Sequence, residues 1–95
     1  MKEYVILVRF SPEAFREPKD LKKTMDVLSA KIKGDCPKVV WKGSYGTLGR
    51  YDVVDIVESD DQEQVEKAAM LIRACFHATT ETLPAKPLKE FLANL

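Results

Sequence analysis

Four short segments rich in β-branched and aromatic residues are separated by two stripes of helical period, and their order, β-α-β-β-α-β, leaves very few folds open. The first segment, Tyr4-Val5-Ile6-Leu7-Val8-Arg9-Phe10, reads as a strand, and its near-continuous apolarity suits a central one covered on both faces. Arg9 interrupts it. By alternation Arg9 shares a face with Val5 and Leu7, while Tyr4, Ile6, Val8 and Phe10 share the other. Val39-Val40-Trp41 opens a second strand running to about Leu48, and Tyr51-Asp52-Val53-Val54-Asp55-Ile56-Val57 forms a third. Between them, Leu48-Gly49-Arg50-Tyr51 predicts a two-residue hairpin with glycine at the first central position, as a type II′ turn needs. Residues 78–83 make a Thr-rich fourth strand that Pro84 should end.

Ser11-Pro12-Glu13 breaks the first strand, and Pro18 restarts the chain at a helix. In that helix Leu21, Met25, Leu28 and Ile32 stand at i, i+4, i+7 and i+11, so they line one face; Gly34 is the expected stop. Asp60 is expected to cap the second helix, with Glu63 three residues on. Val65, Ala68, Ala69, Ile72, Cys75 and Phe76 make its apolar face, which predicts a buried, unreactive Cys75. Leu88, Phe91, Leu92 and Leu95 then repeat at helical spacing in a last helix over about 86–95. Alone, so short a helix is unstable, and it is expected to dock on something.

The element order describes an α+β, ferredoxin-like domain spanning 1–95, with its core in 4–83. Right-handed crossovers put both long helices on one face of a four-stranded antiparallel sheet, with the first and third strands central. The other face is bare, which predicts that a second copy covers it, as a homodimer or higher oligomer. If Leu48 pairs with Tyr51, then Ser44 pairs with Asp55 and Lys42 with Val57. Helices should cover the face free of mid-strand charge. That rule places Tyr4, Ile6, Val8, Trp41, Tyr45, Val54 and Ile56 beneath them. Arg9, Lys42 and Asp55 are left on the open face, where Arg9 and Asp55 are expected to pair.

Composition excludes several functions. Fifteen basic and fifteen acidic residues give no net charge, so no general attraction to nucleic acid or anionic membrane arises. The apolar run 4–8 is too short to cross a bilayer and lacks a signal-peptide cleavage site. Two cysteines, Cys36 and Cys75, are too few for a disulfide framework, and the expected setting is the reducing cytoplasm.

Gly49-Arg50-Tyr51-Asp52-Val53-Val54 resembles the signature of the GYD domain family, small bacterial and archaeal proteins. The opening strand 4–10, the hairpin approach 45–48 with Thr47, and the closing Thr80-Glu81-Thr82-Leu83 are similar to that family as well. The resemblance implies a ferredoxin-like domain of the dimeric α+β barrel type, with no general activity to transfer. The chain departs from the pattern at Asp55, at Phe76-His77, across residues 11–20 and around Cys36-Pro37.

Chemistry-bearing residues are sparse. The single histidine, His77, sits beside a helix end, where a polar terminus group is the ordinary reading. No spacing resembles a metal site, and Gly43, Gly46 and Gly49 lie in a hairpin, so no phosphate loop exists. The acidic run 58–61 suits a helix N-terminus, and Trp41 and Tyr45 suit a core. No cofactor is expected. Candidate ligand-binding residues are Arg9, Lys42, Tyr51, Asp52 and Asp55, with Asp52 also suited to bonding backbone N–H groups at the strand entry. Three functions stay open: a homo-oligomer binding a small molecule between sheet faces, a cofactor-independent monooxygenase or isomerase of the dimeric α+β barrel type, and a regulatory or scaffolding module.

Overall fold

The computed structural model describes residues 1–95 except Phe15, which belongs to the divergent 11–20 stretch. Along the chain run β1 (Lys2–Arg9), α1 (Pro18–Asp35), β2 (Val40–Gly46), β3 (Val53–Ser59), α2 (Gln62–Phe76), β4 (Thr79–Ala85) and α3 (Leu88–Ala93). The strands form one antiparallel sheet in the order β2-β3-β1-β4, with β1 and β3 central as their apolarity requires. Pro18 occupies the first turn of α1, where its missing N–H costs nothing. The helix runs through Gly34 to Asp35, and the Cys36 N–H closes it on the Ile32 carbonyl at 2.8 Å.

Asp61, not Asp60, caps α2: its side chain accepts from the Glu63 N–H at 3.1 Å. Ser59 takes the place beside it, accepting from the Asp61 N–H at 3.0 Å and donating to the Lys38 carbonyl at 2.7 Å. One hydroxyl thus joins the end of β3 to the approach of β2 and the start of α2. His77 ends α2 in the left-handed region, φ 49°, a terminus role as its position suggested. Pro84 does not stop β4, which continues to Ala85. The strand is at the sheet edge, where a missing N–H is tolerated.

Tyr4, Ile6, Val8 and Val57 meet Val65, Ile72 and Phe76 of α2 in the core, and the Phe10 and Phe76 rings lie 4.9 Å apart. The two long helices pack unequally. Helix α2 buries five residues, whereas α1 buries only Leu28, with Leu21, Met25 and Ile32 half-buried.

The face assignment requires correction. Ile6 pairs with Asp55 and Val8 with Val53, so Asp55 lies under the helices, while Val54 and Ile56 pair with Leu7 and Val5 on the open face. Tyr45, opposite Val54, goes with them. Ser44 does pair with Asp55, but a bulge at Lys42 brings Trp41, not Lys42, opposite Val57. Below the bulge Trp41 therefore shares the helix-covered face with Ser44 and Asp55, as β1 residues Tyr4, Ile6 and Val8 do. The rule that charge avoids the covered face fails here because the carboxyl is given hydrogen-bond donors there.

Two smaller expectations also change. The last hairpin bond joins the Thr47 N–H to the Asp52 carbonyl at 2.9 Å, so four residues close the loop instead of two. Helix α3 does not dock: Leu88, Phe91 and Leu92 are more than half exposed.

Candidate functional site

The shortfall of contacts beneath α1 leaves a cavity of about 370 Å³ between that helix and the sheet. Its walls are apolar: Met25, Leu28 and Ile32 from α1, Val8 and Phe10 from the end of β1, Val53 from β3, and Ile72 and Phe76 from α2. Trp41, Ser44 and Asp55 supply a small polar cluster, and exposed Ser29 and Lys33 mark the solvent side. Such a volume falls at the low end of small-molecule sites, about 300–1,000 Å³.

Asp55 is 4% exposed. Its Oδ1 accepts from the Trp41 Nε1–H at 3.1 Å and from the Ser44 hydroxyl. Trp41 Nε1 also lies 3.0 Å from the Ser44 oxygen, so the three side chains form a closed triangle. Burial pushes the Asp55 pKa up, and the bonds from Ser44 and Trp41 only partly oppose it. A carboxyl that holds its proton is both a donor and an acceptor, suited to fixing one polar group of an otherwise apolar molecule. Cys36, 1% exposed, lines the same cavity, and burial raises its thiol pKa as well, leaving a small apolar wall and no nucleophile.

The other candidates do not gather here. Arg9 stands opposite Thr79 on the open face, so it and Asp55 lie on opposite sides of the sheet and form no pair. Lys42 is exposed at the bulge. Tyr51 donates to the Glu81 carboxylate, and that bond raises the phenol pKa. Asp52 bonds backbone at the strand entry: Oδ2 accepts from the Phe10 N–H at 2.7 Å, and its own N–H reaches the Val8 carbonyl at 2.8 Å. It ties the hairpin base to the end of β1. Of the expected thiols, Cys36 is the buried one and Cys75 is only half-buried. Trp41 and Ser44 were missed as site residues, because residues three apart on an unbulged strand point to opposite faces.

No group of acidic, histidine or cysteine side chains able to hold a metal is found among the described residues. No helix among them is long and apolar enough to cross a membrane.

Several solved structures share the fold. The Mycobacterium tuberculosis leucine response regulatory protein aligns with a TM-score of 0.60 at 14% identity, covering 90% of this chain and 51% of the regulator. The chain thus spans about half the length of that protein. FFRP-DM1 aligns at 0.58 with 25% identity over 90% of this chain and 100% of its own. A candidate antibiotic biosynthesis monooxygenase from Caulobacter crescentus CB15 aligns at 0.50 with 16% identity, covering 90% of each chain. These likenesses establish a ferredoxin-like sheet of the dimeric α+β barrel type. No curated protein matches the sequence. The family model for the GYD domain matches residues 4–95, and the chain therefore belongs to the GYD domain family.

Proposed function

We propose that this is a self-associating domain that binds a small, mostly apolar molecule in the cavity beneath α1. The observation that carries the reading is an apolar cavity of about 370 Å³ that contains one buried carboxyl, Asp55, held by Trp41 and Ser44. This reading takes the helix side of the sheet, instead of the space between sheet faces, as the ligand site. The open face keeps the assembly role: Val5, Leu7, Val54 and Ile56 line its centre, and Tyr45 and Leu83 are exposed at its flanks. An apolar sheet face of this kind is what a second copy would cover.

Titration of isotope-labelled protein with a library of small aromatic and alicyclic compounds tests the ligand reading. Binders should shift the signals of Met25, Val53 and Phe76. Binders that perturb only the open sheet face, or a library without binders, would defeat it.

Asp55 also favours a second reading, a cofactor-independent monooxygenase or isomerase, because a carboxyl with a raised pKa in an apolar site is suited to proton transfer. The Caulobacter neighbour lends that reading only its fold. A binding domain releases its ligand unchanged, whereas an enzyme converts it, so mass spectrometry of the recovered ligand separates the two. A regulatory module takes its support from the leucine response regulator's matching half, and would differ in coupling ligand binding to a change of assembly.

A further inference from the structure

We infer that the molecule held under α1 is neutral and carries a hydrogen-bond acceptor, such as a carbonyl oxygen, that takes its bond from the Asp55 carboxyl through Oδ2. This rests on the cavity being the ligand site. The two oxygens of Asp55 are placed unequally. Both protein donors, Trp41 Nε1–H and the Ser44 hydroxyl, converge on Oδ1. Oδ2 has no partner among the described residues, yet it is not sealed away, since no buried side-chain oxygen there lacks a bond. The residue is 4% exposed and lines the cavity, so the space open to Oδ2 is the cavity itself. Donors on Oδ1 leave Oδ2 as the atom that carries the proton of the neutral acid. It then presents an O–H to whatever occupies the cavity.

The surroundings decide the ligand's charge. From β1 the neighbours are Val8 and Phe10, from β3 Val53, and from α2 Ile72 and Phe76. Helix α1 and the residue after it add two titratable groups, Lys33, which is exposed, and the Cys36 thiol, whose pKa burial raises. Among the described residues no cation is buried beside Asp55, and desolvation favours its protonated form. A cationic ligand would have to bury two charges against apolar walls, and an anionic ligand would bury one. A neutral acceptor buries none and satisfies the one exposed valence of the carboxyl.

Three bicyclic probes of matched size test this by methyl NMR on Val8, Leu28, Val53 and Ile72: tetralone, tetralin and aminotetralin. In the wild type with Asp55 protonated, at the acid end of the range in which the fold is stable, tetralone should bind about tenfold tighter than tetralin, the worth of one good hydrogen bond. The advantage should shrink as pH rises through the raised folded pKa of Asp55. Asp55→Asn keeps a donor and should retain the preference across the same pH series, whereas Asp55→Leu should abolish it. Equal binding of tetralone and tetralin to the wild type would overturn the inference while leaving the cavity as the ligand site. Aminotetralin binding most tightly, and more so as pH rises, would assign Asp55 the role of a carboxylate receiving a cation. If none of the three binds, the cavity reading falls together with this one.

Discussion

Ser44 and Asp55 stand directly opposite each other across the β2–β3 ladder, and the serine hydroxyl donates to Oδ1 of the buried carboxyl. The pairing keeps a titratable group on the helix-covered face of the sheet. The register with β1, Ile6 opposite Asp55, sets that face, and the bulge at Lys42 turns Trp41 to the same side and lets its indole N–H complete the triangle.

The pH dependence of stability should report on Asp55. Its folded-state pKa is raised above the unfolded value, about 3.9, chiefly by burial. The folded state therefore binds the proton more tightly. The stability this contributes is present below the ordinary carboxylate range and is lost as pH rises through the folded pKa. Denaturant midpoints of the wild type should fall relative to Asp55→Asn between acid and neutral pH. Parallel curves would show that Asp55 ionises as freely folded as unfolded.

Arg9 and Asp55 should behave as independent residues, because they lie on opposite faces of the sheet. The stability changes of Arg9→Met and Asp55→Leu should add in the double variant to within about 0.5 kcal/mol. A coupling above that would require a contact the sheet does not provide.

Asp52→Ala should destabilise the protein by about 1 kcal/mol, since the 2.7 Å hydrogen bond from the Phe10 N–H to the Asp52 side chain is lost. Urea unfolding measures the loss. Loss of the bond should also loosen the junction between β1 and the hairpin, raising amide exchange at Phe10 and Asp52.

His77→Gly should stabilise the fold by up to about 1 kcal/mol, because a residue with φ 49° carries a Cβ penalty that glycine lacks. Thermal unfolding reads the gain. A loss would mean that the imidazole makes a compensating contact.

Thiol labelling should distinguish the two cysteines. Cys36 is 1% exposed with a raised pKa, so it should react slowly in the native state and at the ordinary rate in denaturant. Half-buried Cys75 should label faster than Cys36. The reverse order would place the packing defect beneath α2 instead of α1.

Leu7→Glu puts a charge in the middle of the open face without touching the core. Sedimentation should show the wild type as an assembly and the variant as a folded 10.8 kDa monomer. A monomeric wild type would remove the assembly role from that face.

Local pattern sufficed for the architecture. The continuous apolar run Tyr4–Val8, rich in β-branched residues, the stripe Leu21-Met25-Leu28-Ile32 and the proline at position 18 are properties of neighbouring residues, and each predicted its element within a few positions. The singular status of Asp55, a charge amid β-branched residues, was legible for the same reason. Which face it occupies was not, because face is a matter of register between strands, and one extra residue at Lys42 separates Trp41 from the parity its spacing implies. The cavity was equally hidden. The stripe on α1 says that the helix has an apolar side, but its distance from the sheet depends on how α2, with its five buried residues, occupies the shared core. Likewise the apolar spacing of α3 foretold a helix and not its exposure, since docking requires a surface that only the assembled chain, or a second one, can offer.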